Sequence, residues 1–248
     1  AFEWLALSVL VGCIIFLARR NLARIRRFFG TEMTAWPRTD ANLILIAEIL
    51  LMAAFLTMNA ADYKLQLLGA PHYTQAGAFP VSGWLLPLLP DSTSSLMGIE
   101  RFCWWFHITG VLAFLNYLPY SKHLHILLAF PNTYFSNLHP KGRFTNMDSV
   151  TNEVKAMLDP SYTPEAADMP IRFGAKDIQD LTWKNLMEAY TCTECGRCTS
   201  VCPANITGKL LSPRKIMMDT RDRMVEVGSA IRKNKEFKDD GKSLLDSY

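Results

Sequence analysis

Apolar and charged residues are segregated along this chain, and that segregation limits its fold more than any other feature. Residues 1–18 are apolar apart from Glu3 and Ser8, and residues 41–61 apart from Asn42, Glu48, Thr57 and Asn59. Residues 102–119 carry His107, Thr109 and Asn116 as their notable polar side chains. Each run approaches the ~20 residues needed to cross a bilayer core. From about residue 131 onward charged and turn-forming residues take over. Hydrophobic residues make up 50% of the chain and charged residues 20%, a mixture that is explained when the two kinds are kept apart. Three membrane spans followed by a water-facing part are expected.

Five arginines follow the first run (Arg19, Arg20, Arg24, Arg26 and Arg27), whereas 62–99 holds Lys64 as its lysine or arginine. Positively charged links stay on the cytoplasmic side, so the arginine link reads as inside and 62–99 as outside. The third run then delivers Lys122, Lys141, Arg143 and the C-terminal part to the inner face. An arginine stripe can also bind nucleic acid, but between two membrane spans it reads as a topology signal touching anionic lipid, and no nucleic-acid partner is expected.

In the water-facing part, Cys192-Thr-Glu-Cys195-Gly-Arg-Cys198-Thr-Ser-Val-Cys202-Pro203 has the spacing by which bacterial-type ferredoxins hold a [4Fe-4S] cluster. Zinc sites usually separate two cysteine pairs widely or recruit histidine, so the cluster is the preferred reading. In two-cluster ferredoxins the cysteine before the proline ligates the other cluster. Either one cluster is held by all four cysteines, or Cys202 serves a second cluster whose remaining ligands lie elsewhere. Cys13 and Cys103 sit in apolar runs, where a thiol is an ordinary small hydrophobe. Free thiolates fit a reducing compartment. The opening Ala1-Phe-Glu-Trp and the closing Leu245-Asp-Ser-Tyr248 read as cut ends, inside a helix and at the start of a further element.

His107 and His125 are 18 residues apart. On one continuous helix that is about five turns and ~27 Å, placing both rings on one face near opposite membrane surfaces. Two stacked haems need such a pair. His123 is turned to the other face by roughly 160°, yet Pro119 can kink the helix and shift its phase, so His123 stays an alternative to His125. The opposing axial ligands lie upstream of Ala1, or a methionine such as Met52 or Met58 serves. Intramembrane Glu48 either relays protons to a quinone or is paired with a neighbouring helix.

Residues 159–171 read as a linker because of Pro160, Pro164 and Pro170. Helical periodicity over Lys176–Ala189 and a Ser212-Pro213 helix start predict an α-helical ferredoxin domain. The expected class is mainly α: a transmembrane haem and quinone bundle over 1–130, a boundary segment and linker over 131–175, and an α-helical [4Fe-4S] domain over 176–248.

The histidine-bearing apolar part, the segment Tyr120-Ser-Lys-His-Leu-His-Ile-Leu-Leu-Ala-Phe-Pro-Asn132 and the run Tyr190–Pro203 together resemble membrane-anchored iron–sulfur proteins related to heterodisulfide reductase and to the gamma subunit of respiratory nitrate reductase. The resemblance covers the chain from about residue 30. It implies transfer of electrons from a soluble flavoprotein, such as electron-transfer flavoprotein, or from a lactate-type dehydrogenase, to a menaquinone-like carrier. It also implies one or two b-type haems on a histidine-bearing helix, here His107 and His125. Such proteins carry a second cysteine motif after the first, which this chain does not contain. The expected location is a bacterial or archaeal cytoplasmic membrane, multi-pass, with the iron–sulfur domain inside. The alternative is a non-catalytic anchor and relay subunit among other respiratory subunits, with quinone chemistry in another chain.

Overall fold

In the computed structural model, residues 1–140, 142–143, 147–163, 174–244 and 246 are described. The described residues form helices and turns with no strand. The chain divides into two compact units, one of residues 1–124 and 193–214, the other of residues 125–192 and 215–248.

The first unit is built on three long helices, α1 (Phe2–Asn21), α2 (Ala35–Leu67) and α3 (Thr93–Tyr117). α2 packs against both others. Alanines make close contact possible along it: Ala60 and Ala61 are fully buried, Ala61 and Leu65 pack with Leu96 of α3, and Leu56 packs with Ala6 of α1. Gly110 of α3 serves the same end, because a Cβ there would stand 2.7 Å from the Leu51 side chain of α2. The 62–99 end is tied by polar contacts. Glu3 accepts from the backbone N–H groups of Val81 (2.9 Å) and Ser82 (3.3 Å), Lys64 pairs with Asp91 (2.7 Å), and Tyr73 donates to Glu100 (2.7 Å).

α1 and α2 are long and apolar enough to cross a membrane, and only 11% and 22% of their apolar windows are buried. A core helix of a water-soluble protein would be mostly covered. Phe2, Leu5, Ile14, Ile15 and Phe16 of α1 are instead exposed, and such a belt of apolar side chains fits association with a membrane. α3 does not reach the same standard. It includes Glu100 and Arg101, so its uncharged stretch runs only from Phe102 to Tyr117, about 24 Å at the α-helical rise. Two helices of membrane-spanning quality are therefore found where three were expected.

α3 also ends earlier than the histidine spacing assumed. It stops at Tyr117, short 3-10 turns follow at Leu118–Tyr120 and Lys122–Leu124, and α4 (His125–Tyr134) starts afresh. Pro119 lies in the first of these turns, where it lacks an N–H to continue the ladder and disfavours helix in the residue before it. The five-turn relation between His107 and His125, and the preference for His125 over His123 built on it, do not hold in this chain.

The second unit contains α4, α5 (Asp148–Leu158), α6 (Trp183–Thr191) and most of α9 (Pro213–Asn234). α4 and α6 pack together, with Phe135 and Trp183 meeting edge to face at 5.0 Å between ring centres. The helix predicted from Lys176 is split. Asp177 caps a 3-10 turn at Ile178–Asp180, Leu181 is extended, and Thr182 and Asn185 form a capping box that starts α6, satisfying N–H groups that a new helix leaves open. Arg223 of α9 is buried and holds Asp177 and Asp240 through bonds of 2.7–3.1 Å. Its hydrogen bonds to these carboxylates keep the guanidinium above its ordinary pKa. The predicted helix start at Ser212-Pro213 is found. Of the predicted linker, residues 164–171 lie outside the described residues.

Candidate functional site

Cys192 caps the C-terminal end of α6 in extended backbone. The chain then turns sharply twice, with Glu194 (φ 56°) and Gly196 (φ 72°) both left-handed. Gly196 starts α7 (Arg197–Val201), which carries Cys198, and Cys202 links α7 to α8 (Pro203–Ile206). Pro203 takes the first helical position, where its missing N–H costs nothing. Gly196 is required twice over. Its φ suits glycine, and a Cβ would stand 2.5 Å from Arg214 Nη1 and 3.0 Å from the Arg27 carbonyl.

None of the four cysteines is in a disulfide. Cys195, Cys198 and Cys202 belong to the first unit and Cys192 to the second. Among the described residues no three His, Cys, Asp or Glu side chains converge as a metal-holding group. The chemistry of the donors nevertheless fits an iron–sulfur cluster: four cysteine sulfurs in eleven residues, none in a disulfide, with left-handed turns between them of the kind that make concave N–H-lined sites.

Within the first unit, segment 193–214 is fixed to the arginine end of α1–α3 by buried charges. Lys122 pairs with Glu194, their side chains 9% and 2% exposed. The Lys122 ammonium also donates to the Pro37 carbonyl (2.7 Å), while its backbone N–H donates to Asp40 (3.1 Å), which Tyr117 hydroxyl also reaches. Burial pulls the Lys122 ammonium below its ordinary pKa, and Glu194 pulls it back. A second clamp joins Arg214 to Glu32 through Nε (2.9 Å) and Nη2 (2.7 Å) and to the Arg27 carbonyl through Nη1 (2.5 Å). Ser212 donates to the same Glu32 carboxylate at 2.8 Å. Burial pushes the Glu32 carboxyl up, but its own backbone N–H, Ser212 and Arg214 outweigh this and hold it below its ordinary value. Paired and hydrogen-bonded on this scale, buried charges fix one geometry even where their net contribution to stability is small.

His107 lies where α3 crosses α2, half-buried, with Nδ1 3.0 Å from the Leu51 carbonyl and its ring against Phe55. A carbonyl only accepts, so Nδ1 carries the proton there, and in the neutral ring Nε2 keeps its lone pair. Histidines that ligate metals are commonly oriented by this kind of backbone bond. Gly110, one turn along α3, allows the approach. The His123 ring lies tilted against Phe114, 5.3 Å between ring centres, in the first unit, and His125 opens α4 in the second. Met52 packs beside the Ala6, Leu56 and Val81 cluster. Glu48 is half-buried in α2 and has no hydrogen-bond or ion-pair partner among the described residues. Glu194, Glu32, Arg214 and Gly110 did not stand out in the sequence, and Lys122 did so only as an inner-face cation, although the glycine between two cysteines at position 196 was a signal available there.

A family model described as a 4Fe-4S dicluster domain matches residues 147–207, a stretch with one four-cysteine run. The probable iron-sulfur-binding oxidoreductase FadF of Bacillus subtilis is 36% identical over 156 residues, 60% of this chain and 20% of that protein. An EtfAB:quinone oxidoreductase of Syntrophomonas wolfei is 31% identical over 222 residues, 86% of this chain and 28% of that protein. A probable membrane-anchored ferredoxin of Chromohalobacter salexigens is 42% identical over 53 residues, 21% of this chain and 8% of that protein. Iron–sulfur electron transfer is the function these matches support. The chain spans less than a third of the first two relatives. No solved structure matches it at a significant level.

Proposed function

We propose that this chain carries electrons from a cytoplasmic flavoprotein or dehydrogenase, through a [4Fe-4S] cluster and b-type haem, to a menaquinone-like carrier in a bacterial or archaeal cytoplasmic membrane. Docking of segment 193–214 on the arginine end of the apolar helices carries this reading, because it ties a redox motif to a membrane part. The similarity to a protein named EtfAB:quinone oxidoreductase supports a flavoprotein donor and a quinone acceptor. On this reading α1, α2 and α3 all cross the membrane, and the positive-inside rule puts the arginine end in the cytoplasm.

Cys192, Cys195 and Cys198 are the proposed cluster ligands, with Cys202 either completing that set or serving a second cluster. A [4Fe-4S] cluster bound there supplies one-electron chemistry. Glu194 sits inside the motif with its carboxylate buried, and Lys122 neutralises it. Arg214 and Glu32 hold the loop that presents Cys198 and Cys202. His107 offers Nε2 to haem iron while Leu51 fixes its ring, with His125 or His123 as the second candidate. Glu48, half-buried without a charge partner, is the proposed site of proton exchange with quinone.

Anaerobic purification in detergent, followed by optical and paramagnetic-resonance spectra and by iron and acid-labile sulfide analysis, tests this. Dithionite should produce a reduced [4Fe-4S] resonance and a low-spin b-type haem band. A preparation with neither signal after iron, sulfide and haem reconstitution overturns the reading.

A further inference from the structure

Where α1 hands over to α2, a cavity of about 290 Å³ opens between the two helix ends, lined by Arg20, Asn21, Arg38, Thr39, Asn42 and by Phe28 and Phe29 beside Ala35. None of this lining is acidic. The two guanidiniums lie over aromatic rings, Arg20 at 4.7 Å from the Phe28 centre and Arg38 at 4.6 Å from that of Phe29, which holds their planes while leaving N–H groups to donate. Arg20 Nε is buried with no hydrogen-bond partner. The carboxylates that act on Arg20 from nearby are engaged elsewhere: Glu194 with Lys122, and Asp40 with Tyr117 and the Lys122 backbone.

Backbone adds to the positive field. Ala35 is the first residue of the 33-residue helix α2, and the side chain of its N-cap, Thr34, makes no capping bond. Open N–H groups and the helix dipole there favour an anion. The Asn21 and Asn42 amides pair with each other at 3.1 and 3.3 Å, joining the two walls of the cavity. Toward the membrane part the adjoining surface is apolar, with Ile15, Phe16, Leu43 and Ile46 exposed on α1 and α2.

We propose that this cavity binds the phosphodiester headgroup of an anionic phospholipid, whose acyl chains lie along the exposed faces of α1 and α2. Two arginines and uncapped helical N–H groups recognise the phosphate, and the apolar stripe beside them distinguishes a lipid from free phosphate. The proposal rests on the membrane reading above.

The test uses the full chain in phosphatidylcholine nanodiscs doped with phosphatidylglycerol, with retained lipid read by native mass spectrometry after release. The wild type should keep phosphatidylglycerol in preference to phosphatidylcholine. Arg20→Gln/Arg38→Gln should lose that preference by about thirtyfold, from roughly one charge–phosphate contribution per arginine. Arg24→Gln/Arg26→Gln removes the same charge from the same link outside the cavity and should keep it. Arg20→Lys/Arg38→Lys, which keeps the charge without the planar fork, should fall between and covers the case in which the glutamine variant does not fold. Equal retention of both lipids, or equal loss in both glutamine variants, overturns the proposal. So does full competition by millimolar sodium phosphate, which would identify a free-anion site. A chain that fails to co-float with pure phosphatidylcholine vesicles refutes the membrane reading instead, a result separable from loss of headgroup preference alone.

Discussion

Replacing Lys122 with methionine should free the cysteine segment from its seat. The side chains of Lys122 and Glu194 are 9% and 2% exposed, so Lys122→Met leaves a carboxylate in a site with almost no water, and the Pro37 carbonyl loses its donor. Breaking a buried pair by removing one partner costs about 3–5 kcal/mol, because the survivor keeps its desolvation penalty and loses its compensation. At about 1.4 kcal/mol per decade, amides of 193–202 should exchange with deuterium roughly two to four decades faster. Glu194→Gln in the same background removes the stranded charge, so Lys122→Met/Glu194→Gln should recover much of the protection, and the four-way cycle gives the coupling directly. Exchange within about threefold of wild type in Lys122→Met, or a double variant as exposed as the single one, would exclude the Lys122–Glu194 pair as what holds the segment.

Other predictions address separate parts of the molecule. Gly196→Ala should destabilise the motif loop by at least the ~1–2 kcal/mol of a left-handed alanine, seen as faster loss of bound iron to a chelator, with the Arg27 carbonyl contact adding to it. His107→Ala should remove a haem absorption band while the reduced cluster resonance stays, and an unchanged optical spectrum would rule out His107 as a ligand. Arg223 hydrogen bonds hold Asp177 below the ordinary carboxylate range, and Asp240 is depressed by the same arginine. Depressed carboxyls stabilise above their unfolded value, about 3.9, and lose that contribution as pH falls through the lower folded values. The second unit's helicity should therefore survive to lower pH than in Arg223→Met, as circular dichroism at falling pH would register. The hydrogen bond to Glu100 pushes Tyr73 up to about 12. Its contribution is complete below the ordinary tyrosine value near 10 and disappears as pH rises through about 12. Absorbance at alkaline pH should show a late-titrating tyrosine that Tyr73→Phe removes.

What the sequence displayed openly was local. The apolar runs that became α1 and α2, the helix start at Pro213 and the all-helical class each depend on residues a few positions apart. What it hid was long-range. Lys122 meets Glu194 across 72 residues and Arg214 meets Glu32 across 182, and no pattern in either neighbourhood selects the partner. The position of His107 was conspicuous, but its bond to Leu51 depends on how closely two helices approach at Gly110. The phase argument linking His107 to His125 failed because it took one helix through Pro119, where proline chemistry favoured a break. The third apolar run covers 102–119, whereas its helix ends at Tyr117 and begins before Glu100 and Arg101, a boundary set by Pro119 and by the packing of α3 on α2 rather than by the apolar count.

The distance along the chain between the two halves of the Lys122–Glu194 pair also sets an order of events during synthesis. At 5–20 residues per second, a ribosome that has finished Lys122 needs about 4–14 s to reach Glu194. Over that interval α1, α2 and α3 are already made and their receiving surface stands open, with Lys122 and Glu32 still hydrated. The cysteines therefore emerge after the seat they are to occupy, and the machinery that delivers iron and sulfide meets a segment that can dock as soon as it leaves the ribosome.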